Sequence, residues 1–227
     1  MLHKTKGIVI SYVPYKETSI ITQIFTEKFG LESFIENGVR SSKGRQKMAL
    51  FQAMTMLDLV IYQNPKKDIQ RISEMQCTYV AHTLQTDPRK AAVLMFMTEI
   101  LQKSLHSNEP NQTLFDFVEN ALMLLDTLAV DFEDFHLHFM IQMSHYLGFG
   151  SRTAAEFASQ LAQHNWHITS ETLAYLESMY TANFGEKFLQ NKSQRNHLLD
   201  TLILYYRMYN ERFENFRTLS VLREISG

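Results

Sequence analysis

Four cations and no acid stand in N-G-V-R-S-S-K-G-R-Q-K, residues 37–47 of a 227-residue chain whose formal charge is −2. Arg40, Lys43, Arg45 and Lys47 combine forked and point-charge donors, the two kinds that hold phosphates. Gly38, Gly44 and the serines are expected to keep the segment pliant and its backbone N–H groups open to a phosphate chain. Lys4, Lys6, Lys66, Lys67 and Arg71 extend the patch if the fold brings them near. Tyr12, Tyr15, Phe34 and Tyr62 are candidates for stacking on bases, or else core and surface filler. The competing reading of the whole run is a solvated face.

The rest of the chain offers little covalent chemistry. There is no G-x-x-x-x-G-K-S/T phosphate loop, G-x-G-x-x-G, G-x-S-x-G or H-E-x-x-H. No catalytic residue, cofactor-binding residue or metal ligand is assigned, and the chain is not expected to be an enzyme. Ser144 and His145 are adjacent on a helix, so their side chains diverge. Asp131, Glu133 and Asp134 fall at a helix start, where acids favour the macrodipole. His138 and His145 share a helical face, but two imidazoles without a cysteine make a thin metal site. Cys77 is the one cysteine, which rules out an internal disulfide and fits a reducing compartment. With no leader pattern and no apolar run near 18 residues, the expectation is a cytoplasmic protein.

The charge is divided unevenly. Residues 1–72 hold eleven bases against six acids, a net of +5, which leaves −7 for the remainder. That split suits a basic part that meets a polyanion and a second part with another task. Twelve methionines and sixteen phenylalanines serve as adaptable core filler or as a groove for partner peptides.

The elements that must position these residues change period near residue 77. Before it, short alternating runs read as strands. Ile20, Thr22, Ile24 and Thr26 share one face, and Ile21, Gln23 and Phe25 the other. The run 50–63 reads as one long strand, with Phe51, Leu57, Leu59 and Ile61 on one side. N-P-K-K at 64–67 marks a turn, and a weaker fifth strand follows. Five strands in so short a span suggest a Greek-key barrel of the oligonucleotide-binding (OB) type, or another small β domain. After residue 77 the period is 3.6. Val93, Phe96, Met97, Ile100 and Leu101 form one stripe behind Asp87-Pro88, and Leu114, Val118, Ala121 and Leu125 form the next. Six helices are expected. The fold class is therefore β + α with two domains: a five-stranded OB barrel over 1–76 and an all-helical domain over 77–227.

The N-terminal residues resemble a family. Gly7-Ile8-Val9, then Tyr15, Glu17, Ser19 and Ile21, then Phe25-Thr26 and Gly30 resemble the opening of the bacterial recombination mediators called RecO. Asn37-Gly38-Val39-Arg40 resembles that family's basic loop. H-Y-L-G-F-G at 145–150 and R-T-L-S-V-L-R-E-I at 217–225 resemble its helical segment and tail. Many members carry four zinc-binding cysteines after the Leu-Gly-Phe segment. This chain has none there, so that zinc site is excluded by ligand count.

The resemblance implies an OB barrel joined to a helical domain that binds single- and double-stranded DNA and anneals complementary strands. It implies partnership with RecR and with the acidic C-terminal tail of the single-stranded-DNA-binding protein, and indirectly with RecA, in a bacterial, nucleoid-associated setting. Arg152, Lys187, Lys192 and Arg195 are candidate cations for that tail, without an assigned pocket. An RNA-binding OB module and a protein-only scaffold are the competing classes.

Overall fold

The computed structural model describes residues 1–106, 109–189 and 191–225, without the side chains of Lys43 and Ile225. Five strands form a closed barrel: β1 (Leu2–Tyr15), β2 (Ser19–Thr26), β3 (Gly30–Glu36), β4 (Met56–Tyr62) and β5 (Ile69–Tyr79). The order around it is β1-β2-β3-β5-β4, closing back on β1. Only β3 and β5 run parallel, through Ser33–Ile69, Phe34–Gln70 and Ile35–Arg71. This is the OB arrangement.

Alternation explains which residues point inward. Ile20, Thr22, Ile24 and Thr26 of β2 are all buried. Ile24 joins Val9, Phe34, Leu57, Leu59 and Ile61 in the barrel core. The two threonine hydroxyls are satisfied locally, Thr22 donating to the Ser11 carbonyl and Thr26 to that of Gly30. β1 serves two neighbours. Its first half pairs with β4 and its second with β2, across a bulge between Val9 and Ser11. Gly7 sits where both pairings meet. A Cβ there would lie 2.7 Å from both Ile24 and Leu59, so only glycine lets the core close.

The long strand expected over 50–63 is shorter than its alternation suggests. β4 begins at Met56, and residues 49–51 form a 3-10 turn. The cause is Phe51. It turns into the end of the barrel with Val39 and Ile20, and Met48, Ile72 and Met75 pack around them. β5 continues to Tyr79, through the position at which the helical region was expected to start.

Two compact units result. One holds residues 1–81 with 104–122, the other 82–103 with 123–227. In the first, the start of α3 (Gln112–Thr127) covers the Phe25 end of β2, with Phe115 against Phe25 at 5.5 Å, and leaves Gln23 exposed and Ile21 half-buried on the same face. Asn111 caps that helix, its side chain accepting from Leu114 N–H. The second unit contains most of α2 (Pro88–Ser104), the end of α3, α4 (Phe135–Tyr146), α5 (Ala154–Gln163), α6 (Ser170–Thr181), α7 (Lys192–Tyr209) and α8 (Leu219–Ile225). The short α1 (Arg45–Met48) belongs to the barrel unit. Pro88 opens α2 at the one helical position where its missing N–H costs nothing. α4 is buried nearly all round, from Phe135 through Ile141. No described helix is long and apolar enough to cross a membrane.

Candidate nucleic-acid interface

The basic segment between β3 and β4 is a built plug rather than a pliant loop. Residues 42–44 form a 3-10 turn that leads directly into α1. Ser41 fastens its start: its hydroxyl donates to the Gly38 carbonyl at 2.6 Å and accepts from Gly44 N–H at 3.2 Å. Gly44 passes so close to Gly38 and Val39 that a Cβ would lie 2.1 Å from the Gly38 carbonyl oxygen. Glycine here permits close packing, the opposite of the freedom expected of it. Val39, Met48 and Phe51 bury the inner side, and Arg45 and Lys47 stay exposed on the outer side.

Two of the four cations are tied to the barrel. Arg40 sits against the β1–β2 turn, its backbone N–H on the Thr18 carbonyl at 2.9 Å and its guanidinium on the Lys16 carbonyl at 3.2 Å. The Lys47 ammonium donates to Glu36, the last residue of β3, at 2.6 Å. Arg45 has no side-chain partner among the described residues. The Lys43 side chain lies outside the described residues.

The remaining candidates divide between two walls. Arg71 of β5 stands opposite Ile35 of β3 in the parallel pairing, and Lys66 and Lys67 occupy the exposed β4–β5 turn just before it. One row of cross-strand partners therefore runs Val13, Ile21, Ile35, Arg71 over the outside of β1, β2, β3 and β5. Arg40 and Lys47 lie at its Glu36 end. Lys66 and Lys67 lie toward the start of β3, where Gln63 donates to the Glu32 carboxylate at 2.9 Å.

Lys4 and Lys6 sit elsewhere, on β1 opposite Val60 and Asp58 of β4. They line a cavity of about 460 Å³ with Lys28, Glu27, Asp58 and Glu74. Lys6 is paired with Glu119, its ammonium 3.0 Å from both carboxylate oxygens, an ion pair that raises its pKa. That wall is charge-balanced, whereas the β2–β3 wall is flanked by cations. Lys16, which the spacing of the basic residues does not single out, joins the second group. It occupies the β1–β2 turn in the left-handed conformation, with φ 52°. The signal for it is its place in a tight turn between two strands of an OB-type pattern.

Comparison with known proteins agrees with this architecture. Residues 1–80 match the family model for the recombination protein O N terminal, and residues 85–217 that for its C terminal. The DNA repair protein RecO of Christiangramia forsetii is 30% identical over the full length of both chains. That of Flavobacterium psychrophilum is 31% identical over 98% of each, and that of Phocaeicola vulgatus 30% over 99% of each.

The chain belongs to the RecO family.

In this RecO-family chain the segment after Leu147-Gly148-Phe149 is packed by aromatic rings. Phe149 stacks on Tyr209 at 4.6 Å, and Phe157 on Tyr205 at 4.2 Å. The Tyr205 hydroxyl donates to the Phe149 carbonyl and bonds Gln160. No group of three metal-binding side chains occurs among the described residues.

The histidines and acids have structural surroundings. His138 is buried between Phe184 and Phe188, whereas His145 is exposed. Burial pushes the His136 pKa down to about 3 and that of His138 to about 4. Asp134 does not cap its helix through its side chain. It reaches across to accept from Phe188 and Leu189 N–H at 2.8 Å. Asp131 and Glu133 pair with Lys187 at 3.3 and 3.4 Å.

The four tail-binding candidates are dispersed. Lys187 serves those acids, Lys192 donates to the Glu224 carbonyl at 3.2 Å, Arg195 is buried beside Asp134, and Arg152 is exposed. A separate groove of about 560 Å³ has Ile168, Leu204 and Leu219 in its lining, together with Arg207 and Arg223.

Proposed function

We propose that this chain is a DNA-binding mediator of recombinational repair that works without covalent chemistry. The observation that carries the reading is the outer wall of β2 and β3, set between the cationic segment 40–47 and the turn 66–67. OB barrels bind oligonucleotides on the face of strands 2 and 3 and through the β1–β2 and β4–β5 loops, which here carry Lys16 and Lys66–Lys67; the segment 40–47 between β3 and β4 adds cations beside that face. Arg40, Lys43, Arg45, Lys66, Lys67 and Arg71 neutralise phosphates and release counterions, with little base specificity, while Glu36 holds Lys47 in reserve beside them. Annealing requires two like-charged strands to be held close. A cationic wall screens their repulsion and leaves base edges free to pair.

The relatives are named DNA repair proteins, which supports placing this activity in repair. The same reading extends to partners. RecR and the single-stranded-DNA-binding protein act with it, so that RecA is loaded on coated strands. The groove with Ile168, Leu204 and Leu219 beside Arg207 and Arg223 offers the apolar lining and cations that an acidic tail requires, in competition with Asp200, which lines the same groove and pairs with Arg223.

The test is a binding titration across salt. Replacing Arg40, Lys43, Arg45 and Lys47 together by Ala weakens binding of a labelled oligothymidine. It also flattens log K against log[salt] by about 0.7 for each phosphate that is no longer neutralised. An unchanged slope contradicts this assignment.

A further inference from the structure

The β4–β5 turn is braced from within. Gln70 is buried, and its amide accepts from Asn64 N–H at 2.9 Å while donating to the carbonyls of Asn64 at 3.0 Å and Lys67 at 2.6 Å. Asn64 closes the turn further by accepting from Lys66 N–H. Such a frame holds its flanks in one geometry without any ligand. Those flanks leave apolar surface in water, with Tyr62 51% and Ile69 39% exposed. Arg71 stands opposite Tyr62 across the β4–β5 pairing.

Between them lies a cavity of about 200 Å³, its lining including Tyr62, Ile69, Lys67 and Arg71. Drug-sized ligands occupy about 300 Å³ or more, so this space suits one flat ring system. We propose that it is a subsite for a single unpaired nucleobase of a DNA strand. The proposal rests on the reading of the barrel as a DNA-binding module.

The chemistry matches on each side. An aromatic face accepts the π-face of any base, which makes stacking tolerant of sequence. Lys67 offers a point charge and Arg71 a planar fork to the phosphates that flank the seated nucleotide. The nearby acids are few. Asp68 is exposed in the turn, and Glu32 is buried and accepts a hydrogen bond from Gln63. A base inside a duplex is stacked on both faces and cannot enter. The subsite therefore favours single strands and releases its base when a complement pairs with it.

The experiment compares labelled ten-nucleotide oligothymidine with an abasic decamer of the same charge, using the full chain. The wild type binds oligothymidine more tightly. Tyr62→Ala lowers that affinity by at least about fivefold, as expected for the removal of one stack, and leaves both the abasic affinity and the salt slope unchanged. Tyr62→Phe retains wild-type binding, which separates stacking from loss of fold. If the wild type binds both decamers equally, or Tyr62→Ala matches the wild type on oligothymidine, the subsite is refuted while DNA binding stands. If the wild type binds neither, the DNA-binding reading itself fails.

Discussion

Glu36→Gln should strengthen DNA binding, although Glu36 itself touches no DNA in this account. Its carboxylate holds the Lys47 ammonium at 2.6 Å, where a phosphate would otherwise sit. The Lys47 side chain is 44% exposed, so the pair is a screened surface interaction worth roughly 0.2–1 kcal/mol. Releasing it lets Lys47 turn to the strand, which raises affinity about 1.4- to 5-fold. One more neutralised phosphate steepens the salt slope by about 0.7. Between 50 and 200 mM salt, that adds about a 2.6-fold fall in affinity. Fluorescence anisotropy of a labelled oligothymidine over this range reads both quantities. Glu74→Gln removes the same charge from the opposite wall and controls for net charge. Glu36→Gln combined with Lys47→Gln should lose the gain. An unchanged slope in Glu36→Gln, or an equal gain in Glu74→Gln, would refute the reasoning.

Three other outcomes follow from the helical unit. The unfolded chain takes up protons at His136 and His138 near pH 6.5, whereas the folded chain resists them down to about 3 and about 4. Their stability contribution is complete above pH ~6.5 and declines as pH falls toward those values. His138 alone accounts for a loss of order 3 kcal/mol, so urea midpoints for His138→Phe should fall less than the wild type's between pH 6.5 and 4. The aromatic packing after Phe149 should make the unit indifferent to chelators: EDTA leaves the melting temperature unchanged, and Phe157→Ala lowers stability by about 3–5 kcal/mol.

The parts of the fold that local pattern governs were legible. The even-numbered face of β2 and the stripe Val93, Phe96, Met97, Ile100 and Leu101 are buried as their periods require. The plug was not legible, because Val39, Met48 and Phe51 are scattered among cations and meet Ile20 and Ile72 only in three dimensions. Its four charges read as a loop as long as their apolar neighbours are left aside. The site shows the same division. Strand pairing sets Arg71 beside Ile35, and no spacing in sequence announces it. The Lys6–Glu119 pair spans 113 residues and leaves Lys6 on a balanced wall. Lys47 and Glu36 are eleven apart and on different elements, so their competition with phosphate was invisible until β3 and α1 were placed.

Strand annealing tests the central claim most directly. Complementary labelled oligonucleotides are mixed with the purified chain, without nucleotide and with EDTA present. The same mixture is run with the quadruple Arg40, Lys43, Arg45 and Lys47 to Ala variant. The account predicts duplex formation faster than the spontaneous rate, an acceleration lost in the variant and suppressed by high salt. Annealing no faster than the protein-free control, or an acceleration untouched in the variant, contradicts it.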